Sequence, residues 1–137
     1  MVDIIMSENN SVELRERPLS PHLSIYKPQI TSVMSIMHRI TGIFLLLGLF
    51  LDVAFIFALV CGEESFNSMV AFINSFFGKL IMTGFIFSLY YHLCNGIRHM
   101  FWDMGKGINI PCVKKSGILV FAISITASIA TLISFYS

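Results

Sequence analysis

Charge is scarce in this chain. Lysine, arginine, aspartate and glutamate make up 12% of its 137 residues, about half the roughly 25% usual for a soluble globular domain. A surface with so few solvated side chains does not suit water. The nine basic and eight acidic residues leave a formal net charge of +1 and form no basic block, which excludes the electrostatic footprint of a nucleic-acid-binding domain. Cysteine is confined to Cys61, Cys94 and Cys112, too scattered for a zinc or iron–sulfur site; all three read as structural thiols. No G-x-G-x-x-G occurs, so no dinucleotide fold is indicated. No repeat or low-complexity segment interrupts what the length allows as one domain.

The first twenty residues also lack something: the apolar core and cleavage site of a secretory signal. They carry Asp3, Glu8, Glu13 and Glu16, acids that a mitochondrial transit peptide avoids. Residues 1–16 are therefore expected to be a flexible tail and residues 17–137 a membrane domain. A bacterial inner (plasma) membrane is a simpler home than the mitochondrial inner membrane.

What the chain has in abundance is apolar length, with 55% of its residues hydrophobic. A membrane-spanning helix needs about 20 mostly apolar residues. Three stretches qualify, at about 32–61, 68–99 and 113–136. The first is broken only by Asp52, and the third carries no charge after its opening lysines. Gly62, Glu63, Glu64 and Ser65 form a polar hinge after the first, and the glycines, asparagine and proline of Gly105 to Pro111 stop the second. The expected fold is all-α, an integral membrane protein of three transmembrane helices in a larger helix bundle. Basic residues sort to one side: Arg15, Arg17, Lys27 and Arg39 precede or open the first span, and Arg98, Lys106, Lys114 and Lys115 lie between the second and third. By the positive-inside rule the N-terminus and second loop face in and the C-terminus faces out.

Polar groups inside a membrane are costly, so their placement carries information. Gly84, Ser88, His92 and Gly96 recur every four residues and share one helix ridge. Three small residues around a histidine open a groove for a flat ring, or equally allow a close helix–helix contact. His92 lies six residues before Arg98, roughly 9 Å inside the boundary that Arg98 marks. A neutral imidazole there needs a partner, and haem iron is one. His99 and Asp103, four residues apart, either share a proton or face solvent as an interfacial pair. Trp102 and Tyr26 read as aromatic-belt residues.

Ser35, His38, Arg39 and Gly42 fall on one face at the opening of the first span. Arg39 either snorkels to the surface or clamps an anionic or carbonyl group with its planar fork. Counted from the boundary, His38 sits about 9 Å shallower than His92, so the two are not expected to hold one haem between them. Ser124, Thr126, Ser128, Thr131 and Ser134 read as packing hydroxyls. Asp52 must be protonated, hydrated or paired.

These residues carry a resemblance. RPLSPHLSIYKPQ and SIMHRITG, the latter read as S-x-x-H-R-x-T-G, resemble the first signature of the succinate dehydrogenase cytochrome b subunits. HLCNGIRHMFWD, read as H-x-x-x-G-I-R-H-x-x-x-D, is similar to the second. The likeness runs from about Arg17 to the end, and RPLSPHL is similar to the mitochondrial and alphaproteobacterial branch.

The resemblance implies a membrane-anchor subunit of respiratory complex II, which passes electrons from succinate to quinone in the tricarboxylic acid cycle and respiratory chain. Such a subunit is not an enzyme by itself. It implies haem b, with His92 as an axial ligand of the haem iron and the other axial histidine supplied by a second hydrophobic anchor subunit. His38 and Arg39 would stand beside the haem propionates. Ser35, Arg39 and Asp103 would meet ubiquinone. The other implied partners are an iron–sulfur subunit, a flavoprotein subunit and membrane lipid. Two rival readings are a haem-free structural anchor and a small transporter subunit using Asp52, His92 and Arg39 as a proton path. The transporter predicts polar groups at every depth, whereas here all but Asp52 and His92 cluster near one side.

Overall fold

The structure, a computed structural model, describes residues 27–137. The expected tail of residues 1–16 and the side chains of Arg15, Arg17 and Tyr26 lie outside the described residues. Among the described residues four helices follow in order: α1 (Ile30–Val60), α2 (Glu63–Asn74), α3 (Phe76–Asp103) and α4 (Ile110–Tyr136). Three of them, α1, α3 and α4, are long and apolar enough to cross a membrane, and no strand occurs among the described residues. The expected all-α membrane fold is the one observed.

The helix limits follow from local chemistry. Gln29, just after Pro28, is extended and precedes α1. Gly62 has a φ of 107°, a left-handed geometry that glycine adopts without steric cost, and it turns the chain from α1 into α2. Glu63 and Glu64 then occupy the first turn of α2, where the helix dipole favours negative charge. Gly105 and Gly107, at φ 71° and 75°, end α3. Pro111 stands in the first turn of α4, where its missing N–H leaves no bond unmade.

The second expected span, drawn without interruption from about residue 68, is two helices. Ser75 is extended, at φ −67° and ψ 163°, and ends α2. Its Oγ then accepts the Gly78 N–H at 3.1 Å, a side-chain cap that starts α3. A Cβ on Gly78 would strike the backbone of Phe72 and Ile73, so α2 folds back tightly here. The apolar run through Met69 to Phe77 hides this break because hydropathy does not register a cap.

α3 lies between α1 and α4 and packs against both, while α2 folds against α1 and α3 at the far end. The three long helices meet at Met34, Tyr91 and Val120, one buried side chain from each. The Tyr91 hydroxyl donates to the Met34 carbonyl at 3.1 Å, tying α3 to α1. Buried Ser124 and Ser128 donate to the carbonyls of Val120 and Ser124, one turn back, at 2.7 and 2.6 Å, the usual use of hydroxyls inside a helix. Ile43, Phe50, Phe57, Ile118 and Ile133 are each more than 60% exposed. An apolar belt of that extent calls for lipid or other apolar chains.

Gly48 shows how closely α1 and α3 approach: a Cβ there would run into the Phe85 ring. Gly48→Val is expected to lower stability by about 1–3 kcal/mol through overpacking. A thermal-dissociation midpoint several degrees lower would register that loss, and an unchanged midpoint would mean that the helices separate freely at this level.

Candidate functional site

Helix geometry brings the imidazoles of α1 and α3 together. His38 and His92 stack with ring centroids 3.9 Å apart and planes 13° from parallel. His99, two turns along α3, stands 5.3 Å from His38. The expected 9 Å difference in depth between His38 and His92 is therefore absent. The boundary was placed at Arg39 and Arg98, but α1 begins at Ile30 and α3 continues to Asp103. His38 lies about 12 Å inside one end and His92 about 16 Å inside the other, which leaves the two nearly level on antiparallel helices.

The ridge of Gly84, Ser88, His92 and Gly96 faces α1. A Cβ on Gly84 would come within 3.3 Å of the Phe44 ring, and one on Gly96 within 3.8 Å of His38 Cε1. The reverse holds for Gly42, where a Cβ would press on His92 at 3.1 Å. Within this chain, then, the small residues serve a helix–helix contact, and the side chains of α1 fill the groove.

The contacts of His92 fix its proton. Nδ1 lies 3.1 Å from the His38 carbonyl and 3.3 Å from Thr41 Oγ1. A carbonyl only accepts, so Nδ1 must carry the hydrogen, and in the neutral ring Nε2 holds the lone pair. Among the described residues Nε2 makes no hydrogen bond. Thr41 is held in turn, its hydroxyl within 2.9 Å of the carbonyls of Met37 and His38. His38 Nδ1 is buried without a hydrogen-bond partner among the described residues, a costly condition for a polar nitrogen.

The other residues singled out from the sequence are more open. Arg39 is exposed, and Ser35, one turn earlier on the same face, is half-buried. Neither makes a hydrogen bond or ion pair among the described residues. Asp103, the last residue of α3, is exposed and does not bond His99, whose ring instead meets Trp102 edge-on at 5.1 Å. Asp52 is exposed toward the far end of α1 and lines a hollow of about 260 Å³ with residues that include Phe55, Phe72 and Ile81.

Sequence reasoning missed a second polar centre. Arg98, read as a boundary cation, is only 5% exposed. Its Nε donates to Ser116 Oγ at 2.9 Å, Nη1 to Asn95 Oδ1 at 3.3 Å and Nη2 to the Val113 carbonyl at 3.0 Å. The guanidinium lies 4.0 Å over the Trp102 ring, a cation–π contact. The signal was present: Tyr91, Asn95 and Arg98 stand at i, i+4 and i+7, the spacing of one buried face. No group of three or more His, Cys, Asp or Glu side chains that could hold a metal ion alone occurs among the described residues, so an iron here needs ligands from elsewhere.

Residues 13–131 match the family described as succinate dehydrogenase/fumarate reductase transmembrane subunit. The succinate dehydrogenase cytochrome b556 subunit of Rickettsia prowazekii (strain Madrid E) is 42% identical over 110 residues, covering 80% of this chain and 86% of its own length. The protein of the same name from Paracoccus denitrificans is 38% identical over 120 residues, covering 88% of this chain and 92% of its own length. The mitochondrial succinate dehydrogenase cytochrome b560 subunit of Sus scrofa is 40% identical over 118 residues, 82% of this chain and 68% of its own length.

Proposed function

The chain belongs to the succinate dehydrogenase/fumarate reductase transmembrane subunit family, and from that premise we propose that it binds haem b and forms part of a ubiquinone-reduction site in complex II. The observation that carries this reading is the tethering of His92. With Nδ1–H committed to the His38 carbonyl and Thr41, the ring presents Nε2 as a lone-pair donor, the arrangement typical of a metal-bound histidine with a backbone partner behind it. The donor set fits a haem, since the macrocycle itself would supply the iron ligands that this chain lacks. His92 would hold the iron. His38, whose Nδ1 lacks a partner, would donate to a propionate. When bound, haem b supplies a one-electron redox centre inside the membrane.

His38 would not be the second ligand. Stacked face to face at 3.9 Å, the His38 and His92 rings leave no room for a metal ion between their nitrogens. The second ligand is therefore assigned to another chain, a second hydrophobic anchor subunit.

Ser35 and Arg39 are assigned to the quinone. Both sit on one face of α1 near its inner end, and the Arg39 guanidinium is free among the described residues to donate to a quinone carbonyl and stabilise the charge that develops on reduction. Asp103 stands at the same end of the bundle as a carboxylate able to relay protons from solvent. Electrons would arrive from a flavoprotein subunit through an iron–sulfur subunit docked on this side. The basic residues there support a topology with the N-terminus and the α3–α4 loop in the cytoplasm of a bacterium.

A haem-free anchor, in which His92 only packs, finds support in the stacking of the two imidazoles. The discriminating experiment is Thr41→Val in the purified complex. Valine preserves shape and removes the hydroxyl behind His92. If His92 is a ligand, loss of this outer contact should weaken haem retention by on the order of tenfold, read as haem per complex after dialysis against an apo-haemoprotein acceptor. An absence of haem from both wild type and variant would support the packing role.

A further inference from the structure

On the side of α3 turned away from His92, a second hollow of about 370 Å³ opens between α3 and α4. Its long walls are apolar, built by residues such as Cys94, Ile97, Leu119 and Ile123. At one end it meets Lys106, and Arg98 forms part of its lining. Polarity is thus graded along its length, with cations at the membrane surface and hydrocarbon below. From Cys112 to Ile123, both lining residues, α4 rises about 16 Å. One leaflet of the hydrocarbon core is about 15 Å deep.

The Arg98 charge is the second observation. A buried cation is normally paired with an anion, yet all three of its protein acceptors are neutral: a hydroxyl, an amide oxygen and a backbone carbonyl. A guanidinium carries five N–H groups, so two remain without a protein acceptor among the described residues. From Arg98 to Lys115 the sequence holds Arg98, Lys106, Lys114 and Lys115 against Asp103 as the sole acid. The missing component at this end of the hollow is an anion.

We propose that the α3–α4 hollow seats an acyl chain of an anionic phospholipid, whose phosphate is held by Lys106 and the unoccupied N–H groups of Arg98. A soluble anion would not use the apolar walls, and a neutral lipid would not answer the charge. Ile97, Leu119 and Ile123, each more than 40% exposed, lie on the outer surface of spanning helices, where lipid has direct access. The bound lipid would brace α3 against α4 and keep Arg98 stacked on Trp102. The inference makes no use of His92 or haem, so it stands or falls separately from the proposed function.

The test uses the intact complex, purified through this chain, stripped of lipid by detergent exchange and titrated in native mass spectrometry. Phosphatidylglycerol and phosphatidylcholine with identical acyl chains are the probes. Wild type is expected to take up one phosphatidylglycerol at least tenfold more tightly than phosphatidylcholine. Lys106→Glu should weaken that binding at least tenfold, and Leu119→Trp, which fills the hollow, should remove one adduct. Both variants should keep every subunit and normal electron transfer from succinate to a soluble dye. Equal binding of the two lipids, or wild-type uptake by both variants, overturns the proposal. So does a cross-link from Cys112 that finds another subunit's helix seated in the hollow.

Discussion

Arg39→Leu is expected to reduce quinone reduction on the order of a hundredfold while succinate oxidation with a soluble dye continues. Arg39 is exposed near the inner end of α1 and makes no hydrogen bond or ion pair among the described residues. Its removal therefore leaves no buried partner uncompensated, and the fold should tolerate leucine there. What is lost is a preorganised cation beside a carbonyl oxygen that gains charge on reduction. Removing one such donor typically costs on the order of a hundredfold in rate, or about 2.7 kcal/mol of barrier. Arg39→Lys should recover only part of the rate, because an ammonium lacks the planar two-pronged donor. Parallel steady-state assays with ubiquinone and with a dye make the comparison. Equal loss of both activities would assign Arg39 to docking or assembly.

The second large effect belongs to His92. His92→Ala should abolish haem binding in a complex that still contains all its subunits, because no other histidine among the described residues offers a comparable nitrogen. His38 is stacked behind His92, and His99 packs between His38 and Trp102 at 5.3 and 5.1 Å. His38→Ala should retain the haem with an altered potential, since the ring lost is a neighbour and the carbonyl that tethers His92 belongs to the backbone. Haemochrome quantitation on both variants, set against subunit stoichiometry, separates the two roles. Loss of haem in His38→Ala with retention in His92→Ala would reverse the assignment.

The spans were plain in the sequence because runs of about 20 apolar residues have few soluble explanations. The two signatures named the family because H-x-x-x-G-I-R-H-x-x-x-D and S-x-x-H-R-x-T-G fix many positions at once. The relation between helices was not legible. Depth counted along each helix from its nearest arginine gave His38 and His92 different levels. Their level is set instead by the register of α1 on α3, which depends on Gly42 lying against His92 and Gly48 against Phe85. Arg98 misled for the same reason. An arginine near a span end usually marks the interface, and its acceptors Ser116 and Val113 lie on α4, outside the α3 face that the spacing of Tyr91, Asn95 and Arg98 marks. The cap at Ser75 was hidden within a largely apolar run, although serine is among the favoured N-cap residues.

The role of the ridge was half visible. Spacing put Gly84, Ser88, His92 and Gly96 in line, and that line exists as a contact face. Which body fills it depends on the neighbouring helix, and α1 brings Phe44 and His38 to it. His92 remains only half-buried, which leaves the haem-ligand assignment compatible with this packing.

On the proposed function, this anchor subunit carries a haem on His92. The most direct test is the dithionite-reduced minus oxidised optical spectrum of the wild-type complex, purified through this chain with its subunits accounted for. A sharp b-type band at one haem per complex is expected. A complete complex without a haem band would contradict it and leave His92 as a residue that packs α3 against α1.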